Sequence, residues 1–395
     1  MKKFLALLLA LCMVFALCAC GSEPAADDAA DDGAAEDGQS GDIAIDLYSV
    51  AMITDYGDIT DQSFNQTTYE ACKSFCEEYN VDFTYFKPAS DSDEDRIAMI
   101  ESAIDEGFNV IVMPGYAFAN AIKATAGEYS DVTFIALDVG AGDLGDDYEV
   151  PANLYCAVYQ EELCGFMAGY AAVKLGYTKL GFLGGMAVPA VVRYGYGFVQ
   201  GADKAAVEMG LTDVQINYAY GNQFFGDADI TAAMDTWYAG GTEVVFACGG
   251  GIFTSAVDAA VKADGKVIGV DVDQAGVIAA YAAGEDGDPA QYADLTVTSA
   301  MKGLAATVKT LLSDVVSASF EGGKIDNLGL VSENPEENYV QIAGSTQFGE
   351  GFTAEDYNAL VASLFAGEIE VSNDINATAA DMATVVAVND LGNLK

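Results

Sequence analysis

The chain has 395 residues and carries 61 Asp and Glu against 16 Lys and Arg, for a net charge of −45. No basic stripe is present, so binding of a nucleic-acid backbone is excluded as a function. The sequence contains no histidine, which excludes Ser-His-Asp and Cys-His catalysis, two-His zinc sites and a histidine general base.

The first residues resemble a bacterial lipoprotein signal. Two lysines precede an apolar run over 4–18, which is too short for a membrane span of about 20 residues. The run ends in Leu-Cys-Ala-Cys, which predicts a signal peptide over 1–19 and a lipid on Cys20. The acidic segment 21–42 has no aromatic, Val, Ile or Leu residue. Residues 20–42 are therefore predicted to be a lipidated cysteine and a flexible tether.

Buried parallel strands are predicted from six apolar runs separated by helix-like stretches. Runs at 48–55, 132–138 and 266–271 end on Asp55, Asp138 and Asp271, and runs at 109–115, 179–184 and 243–249 end on glycine. Ligands of open α/β sheets bind outside the carboxyl ends of the strands. The three aspartates there indicate a hydroxyl-rich or cationic ligand, or else caps of the following helices.

Other motifs point away from metals and nucleotides. Residues 91–95 have the 1, 3, 5 acidic spacing of a calcium loop, but Arg96 and Ser102 replace its glycine and bidentate glutamate. A helix start with acids in its first turn is predicted instead. The glycines over 195–201 follow no strand, so they predict close helix packing rather than a dinucleotide site. No phosphate-binding Gly-x-x-x-x-Gly-Lys-Ser/Thr loop occurs.

The stretch 55–66 and the glycines 249–251 are the strongest candidates for ligand contacts. Asp61 or Ser63 can cap a helix in whose first turn Phe64 lies, facing either the core or a ligand. Glycines after a strand let backbone N–H groups approach a ligand, although a tight turn is the alternative. The five cysteines after Cys20 lack paired spacings, so buried thiols are expected rather than a disulfide framework.

Asp-x-Gly-x-x-x-Asp-x-Ser-Phe-Asn-Gln at 55–66 resembles the opening signature of the basic membrane protein family, nucleoside-binding lipoproteins of ABC-type importers. The resemblance extends over about 45–320. It includes 153–169, the Gly-Gly…Pro…Arg-Tyr block at 184–198, Gly-Val-Asp-x-Asp-Gln at 269–274 and Thr-Ser-x-x-Lys at 298–302.

The resemblance implies an α/β, type I periplasmic-binding-protein fold with two doubly wound parallel-sheet lobes joined by a three-strand hinge. The N-terminal lobe is predicted over 43–154 plus about 300–322, and the C-terminal lobe over 155–299 plus about 323–395. Chain crossings are expected near 153–157, 298–302 and 322–330.

The family also implies roles for individual residues. Phe64 would stack on the base, and Asn65 and Asp55 would hydrogen-bond its edge, with Asp138 on the same lobe. Asp271 would accept the ribose hydroxyls, Lys302 would bond sugar or base, and Gly250 would offer its backbone. Phe224 or Phe225 would supply the second stacking ring.

The predicted function is capture of nucleosides, purine nucleosides above all, for an ABC-type permease at the outer face of the cell membrane. No enzymatic activity and no cofactor are expected. The alternatives are a sugar receptor or a ligand-sensing lipoprotein of the same fold, and a nucleoside hydrolase. The Asp-x-Asp-x-Asp-Asp motif near the start of nucleoside hydrolases is absent, which argues against the hydrolase alternative.

Overall fold

A computed structural model describes residues 47–145 and 147–395. The predicted signal peptide over 1–19, Cys20 and the tether to residue 42 lie outside these residues. None of the helices in the described ranges is long and apolar enough to cross a bilayer. All five cysteines among them are buried and unbonded, as expected.

The first sheet has six strands, all parallel, in the order β11-β5-β4-β3-β1-β2. Helices cover its faces, and the last of them, α10, returns from the second sheet to pack against α1. The elements of this lobe are β1 (Ser49–Ile53), α1 (Phe64–Tyr79), β2 (Asp82–Phe86), α2 (Asp93–Asp105), β3 (Val110–Pro114), α3 (Ala119–Thr125), β4 (Thr133–Leu137), α4 (Ala141–Leu144), β5 (Leu154–Tyr159), α10 (Leu304–Val316) and β11 (Lys324–Leu328).

The second sheet has seven strands in the order β12-β10-β9-β8-β6-β7-β13, and only β12 is antiparallel to its neighbour. The elements of this lobe are α5 (Glu161–Lys174), β6 (Lys179–Gly184), α6 (Pro189–Met209), β7 (Gln215–Tyr220), α7 (Ala228–Ala239), β8 (Val244–Cys248), α8 (Phe253–Ala263), β9 (Lys266–Asp271), α9 (Ala275–Ala283), β10 (Thr296–Lys302), β12 (Val340–Ile342), α11 (Ala354–Phe365) and β13 (Ala387–Asn393).

The chain passes between the two sheets three times: after β5, after β10 and after β11. The first two crossings directly follow the predicted ranges 153–157 and 298–302, and the third begins within the predicted range 322–330. The strand β11 pairs in parallel with β5, so 324–328 belong to the first sheet, whereas the predicted boundary near 323 puts them in the C-terminal lobe. The sequence of β11, Lys-Ile-Asp-Asn-Leu, lacks the apolar run of the central strands because β11 lies at a half-exposed sheet edge.

The strand predictions are confirmed. The central strands β3 and β8 are buried along their whole length, and the apolar residues of β1 and β4 are fully covered. Both faces of a parallel sheet covered by helices are buried. The sequences of its strands are therefore continuous apolar runs.

The helix predicted around the glycines at 195–201 is also present, as α6. It packs closely on α5, because a methyl group at Gly197 or Gly201 would clash with the carbonyl of Glu162 or Phe166. Glycine at these positions lets the two backbones touch. The pair α5–α6 therefore forms a rigid block immediately after the first crossing.

Candidate functional site

A cavity of about 840 Å³ lies between the carboxyl ends of the two sheets, within the usual range for small-molecule sites. The first lobe contributes the loops after β1, β3 and β4, and the second contributes those after β6, β7, β8 and β9. All the residues predicted to bind ligand line it: Asp55, Phe64, Asn65, Asp138, Phe224, Phe225, Gly250, Asp271 and Lys302.

At the first-lobe end, Asp55 and Asn65 form a hydrogen-bonded pair. The Asp55 carboxylate accepts from the backbone N–H groups of Tyr56 and Gly57, both at 2.6 Å, and from the Asn65 amide at 3.2 Å. Burial raises the pKa of Asp55 above its usual value. The carbonyl oxygen of Asn65 is buried and accepts no hydrogen bond from any described residue. An unpartnered buried acceptor on a cavity wall is a ready site for a ligand donor.

The helix α1 is capped by Asp61 and not by the hydroxyl of Ser63. The Asp61 carboxylate accepts from the N–H groups of Ser63, Asn65 and Gln66. Ser63 is therefore free to donate its hydroxyl to Asp271 of the second lobe, at 2.6 Å. Asp61 thus orients the first turn that presents Phe64 and Asn65 to the cavity.

Lys302, the last residue of β10, joins the two lobes through carboxylates. Its ammonium lies 2.5 Å from Asp138 Oδ2, 3.4 Å from Glu161 Oε1 and 3.8 Å from Asp271 Oδ1. It also lies 4.8 Å from the centre of the Phe64 ring, within cation–π distance. Burial opposes the charge, but the three carboxylates together raise the pKa of Lys302 above its usual value.

Asp138 and Asp271 share an unusual backbone conformation. Their φ angles are +59° and +65°, the left-handed region that Asp and Asn tolerate better than other side chains. Burial raises the pKa of Asp138 to about 6, although Lys302 works in the opposite direction. The second oxygen of Asp138, Oδ1, accepts no hydrogen bond within the described ranges. This carboxylate therefore keeps acceptor capacity on the cavity wall.

Arg193 supports the same network from α6. Its guanidinium Nε donates to the fully buried Glu161 at 2.6 Å, while the neighbouring Glu162 is 4.0 Å away. Burial raises the pKa of Glu162 to about 7. Glu161 thus bridges Arg193 and Lys302, and it holds the lysine against the hinge.

The two candidate stacking rings of the second lobe differ in their surroundings. Phe224 packs on the main core and lies against Gly185, where no larger side chain would fit. Phe225 is 60% exposed and its backbone bridges to Gly251. Gly250, with φ of +53°, stands beside Phe224. Phe224 is therefore the ring with a fixed position on the cavity wall.

Comparison with known proteins identifies a family whose match contains all the residues predicted to bind ligand. The family model Bmp, described as ABC transporter substrate-binding protein PnrA-like, matches residues 48–347, well over half of the chain. The chain belongs to the Bmp family. Its members include proteins named basic membrane protein, as the sequence resemblance predicted.

Two relatives show the extent of the similarity. The ABC transporter nucleoside-binding protein BmpA of Lactococcus lactis subsp. cremoris is 28% identical over 301 residues, covering 73% of this chain and 80% of that protein. Basic membrane protein A of Borreliella burgdorferi is 28% identical over 297 residues, covering 73% and 79%.

Solved structures confirm the predicted fold. An ABC transporter solute-binding protein from Aeropyrum pernix K1 superposes with a TM-score of 0.61 at 22% identity, covering 85% of this chain and 90% of that one. One from Conexibacter woesei gives 0.62 at 21% identity, covering 82% and 99%. The chain therefore has the type I periplasmic-binding-protein fold. The family match makes it an ABC-type substrate-binding protein.

A second contact between the lobes could not be predicted from the sequence. The hydroxyls of Tyr56 and Tyr116, on the first lobe, lie 3.7 and 3.9 Å from the sulfur of Met186 on the second. The guanidinium of Arg96 lies 5.9 Å from the centre of the Tyr56 ring. No sequence pattern marks these residues, because they lie in separate parts of the chain. Glu161 was missed too, although it opens the helix within the family segment 153–169.

The carboxylates of the Bmp site form no metal cluster. In residues 47–145 and 147–395, no group of three or more Asp, Glu or Cys is arranged to hold a metal ion. Asp138, Asp271 and Glu161 share one lysine instead. The arrangement suits recognition of hydroxyl and amino groups by charge-assisted hydrogen bonds.

Proposed function

We propose that this protein captures nucleosides, purine nucleosides above all, between its lobes and delivers them to an ABC-type permease. The observation that carries the proposal is the composition of the cavity lining, which combines aromatic rings with cations that are already neutralised by carboxylates. Phe64 and Phe224 line the cavity from opposite lobes, while its three cations, Lys87, Arg193 and Lys302, are each paired with a carboxylate.

The aromatic rings suit a flat, uncharged base. Stacking on an aromatic side chain contributes about 1–3 kcal/mol per base and tolerates any base identity. Asn65 and Asp55 then face the hydrogen-bonding edge of the base, with one unpartnered acceptor on Asn65. Because the two faces of the base would contact rings from different lobes, binding requires closure of the hinge.

The hinge end of the cavity suits a ribose. A vicinal diol supplies two donors that one carboxylate can accept together, and Asp271 and Asp138 both reach the cavity. Lys302 can donate to a ligand oxygen from the same position. A phosphorylated ligand would find no unpaired cation among the described lining residues, which favours nucleosides over nucleotides.

Delivery to a permease is supported by membership of a substrate-binding family of ABC transporters and by the name of the Lactococcus relative. The lipoprotein-type signal ending at Cys20 supports an anchor on the outer face of the cell membrane. Replacing Cys20 with Ala should abolish labelling by a radioactive fatty acid. Labelling that survives the change would place the anchor elsewhere.

A sugar receptor of the same fold is less well supported. Sugar sites use a tryptophan face against the pyranose ring, but Trp237 is buried in the core behind the second sheet and does not line the cavity. Binding, not turnover, is proposed: Asp138 and Asp271 contact the Lys302 ammonium, and Asp55 accepts from backbone N–H groups.

Mass spectrometry of small molecules released from the purified protein tests the proposal. Protein purified under native conditions and then denatured should release a nucleoside in amounts approaching one per chain. The Lys302→Met variant, purified in parallel, should release none. Release of a hexose or pentose by the unaltered protein, with no nucleoside, would overturn the proposal.

A further inference from the structure

The first turn of α1 carries an amide whose orientation is fixed by two carboxylates. The side-chain nitrogen of Asn65 donates to Asp55 Oδ1 at 3.2 Å and to Asp61 Oδ2 at 3.1 Å. An ionised carboxylate only accepts hydrogen bonds, so the nitrogen of the amide, and not its oxygen, must face both of them. The oxygen Oδ1 of Asn65 therefore turns away from the two carboxylates, and it is buried without a donor among the described residues.

The two oxygens of Asp55 have different surroundings. Oδ1 accepts from the backbone N–H groups of Tyr56 and Gly57, both at 2.6 Å, and from the Asn65 amide. None of the described residues donates to Oδ2. This oxygen lies beside Gly115, on which an added methyl carbon would come within 3.4 Å of it, and Gly115 and Asp55 both line the cavity. Oδ2 is therefore a second free acceptor at this end of the cleft.

Contacts across the cleft bring an aromatic ring of the second lobe to the same end. The hydroxyl of Tyr56, which follows Asp55, lies 3.7 Å from the sulfur of Met186 on the second lobe. Gly185 directly precedes Met186, and a methyl group on Gly185 would overlap the ring of Phe224. The Phe224 ring is therefore at the same end of the cleft as the free acceptor of Asp55.

Two free acceptors discriminate among the common bases. The hydrogen-bonding edge of guanine presents two adjacent donors, N1–H and the 2-amino group, whereas hypoxanthine presents N1–H alone. The edges of adenine, cytosine and uracil each offer a single donor group beside a lone pair. A buried acceptor that faces a lone pair or a C–H group loses the hydrogen bond that water would have given it. Guanine is therefore the base that satisfies both oxygens.

We propose that Asp55 and Asn65 make guanosine the preferred ligand of this cleft, with Oδ2 of Asp55 accepting from N1–H of guanine and Oδ1 of Asn65 accepting from its 2-amino group. The inference rests on the proposed nucleoside function and names the base that it favours. A carboxylate that accepts from a ligand N–H forms a charge-assisted bond, about twice as strong as a neutral one. Asp61 holds the Asn65 amide in the accepting orientation, so it is a positioning residue for the same base.

Titration calorimetry of the full chain with guanosine, inosine and adenosine tests the assignment without any substitution. Inosine lacks only the 2-amino group, so it leaves the Asn65 oxygen without a donor and should bind roughly tenfold more weakly than guanosine. Adenosine presents a lone pair at N1 to Asp55 and should bind roughly a hundredfold more weakly. The pH is set to 8, because burial raises the pKa of Asp55 and a protonated carboxyl would donate to N1 instead of accepting from it.

Asp55→Asn is the variant that should change the preference. The three donors at Oδ1 hold an oxygen in that position, so the new amide must place its nitrogen where Oδ2 was. That nitrogen donates to N1 of adenine and opposes the N1–H of guanine. The ratio of guanosine affinity to adenosine affinity should therefore fall by at least about tenfold.

Asp58→Asn is the matched control, because it makes the same change on the same loop. Asp58 is exposed and pairs with Lys87 at 2.8 Å, so this variant should leave the ratio unchanged. The comparison of the three nucleosides on the unaltered chain decides the assignment even where Asp55→Asn does not fold. Guanosine binding no tighter than inosine or adenosine, or an unchanged ratio in folded Asp55→Asn, would overturn the base assignment and leave the nucleoside function intact. Failure of every nucleoside to bind the unaltered chain would overturn both.

Discussion

The two ends of the cleft satisfy their buried carboxylates in different ways. At the hinge end, Asp138, Asp271 and Glu161 surround the single ammonium of Lys302. At the base end, Asp55 and Asp61 have no cation partner among the described residues and are satisfied by backbone N–H groups and the Asn65 amide. One end is a charge network that spans both lobes, and the other is a helix start that belongs to one lobe.

Because of this difference, substitutions at the two ends are expected to affect stability and ligand binding differently. Removing one partner from a buried charge network leaves uncompensated charge, which costs about 3–5 kcal/mol. Removing a half-buried ring at the base end takes away a ligand contact but leaves the capped helix in place. The hinge end is therefore expected to govern both folding and affinity, and the base end affinity alone.

The largest effect is expected for Lys302→Met. The change leaves three carboxylates facing one another without a cation, so the free energy of unfolding should fall by about 3–5 kcal/mol and nucleoside binding should be lost. Urea denaturation measures the first and calorimetry the second. The control is Lys87→Met, since Lys87 also lines the cavity but its pair with Asp58 is exposed and contributes at most about 1 kcal/mol. Similar small losses for both variants would show that the hinge network is not essential.

At the base end, Phe64→Ala should weaken adenosine, inosine and guanosine alike, by about 1–3 kcal/mol, because stacking is tolerant of base identity. The free energy of unfolding should change much less than for Lys302→Met. Phe225→Ala is the comparison, and it should have little effect because that ring is mostly exposed. A variant of Phe64 that unfolds would make this residue a core side chain instead.

The sugar end is tested by Asp271→Asn, which keeps a side chain that tolerates the positive φ of this position. Loss of the charged acceptor should cost ribonucleosides about 1–3 kcal/mol and 2′,3′-dideoxynucleosides much less. Calorimetry with both sugars on one base measures the difference. Equal losses would remove Asp271 from the ribose site.

The smallest effect is expected from pH. Ligand hydroxyls donate to the ionised form of Asp138, whose pKa in the folded protein is about 6, so binding lowers this pKa. Affinity should be full above about pH 7 and fall as the pH drops through 6, by at most about tenfold per pH unit.

Two other groups can contribute to the pH profile, so variants are needed to separate them. Burial also raises the pKa of Asp55, and it raises that of Glu162 to about 7. Asp138→Asn should flatten the profile near pH 6, whereas Glu162→Gln should not. An unchanged profile in Asp138→Asn would assign the titration to another group.

Much of the fold and of the site geometry could be predicted from the sequence because both depend on strand ends. Buried parallel strands are apolar runs, and the residues that follow them meet at one edge of each sheet. This is why Asp55, Asp138, Asp271 and Gly250 line one cavity. Their roles toward a ligand are still predictions.

The features that were missed depend on tertiary placement and leave no periodic signal. The edge strand β11 is polar, so its sheet could not be assigned from its sequence. The sequence left the cap of α1 open between Asp61 and Ser63, and only the tertiary structure shows that Asp61 caps the helix while Ser63 donates to the other lobe. The contacts of Met186 with Tyr56 and Tyr116 join loops that are far apart in the chain.

Calorimetry of residues 43–395, stripped of bound ligand by unfolding and refolding, tests the central claim most directly. Adenosine, guanosine or inosine should bind at micromolar or tighter, a binding free energy of about −8 kcal/mol or more negative, while ribose and galactose should give no heat. Tight binding of ribose or galactose with no response to any nucleoside would contradict the account.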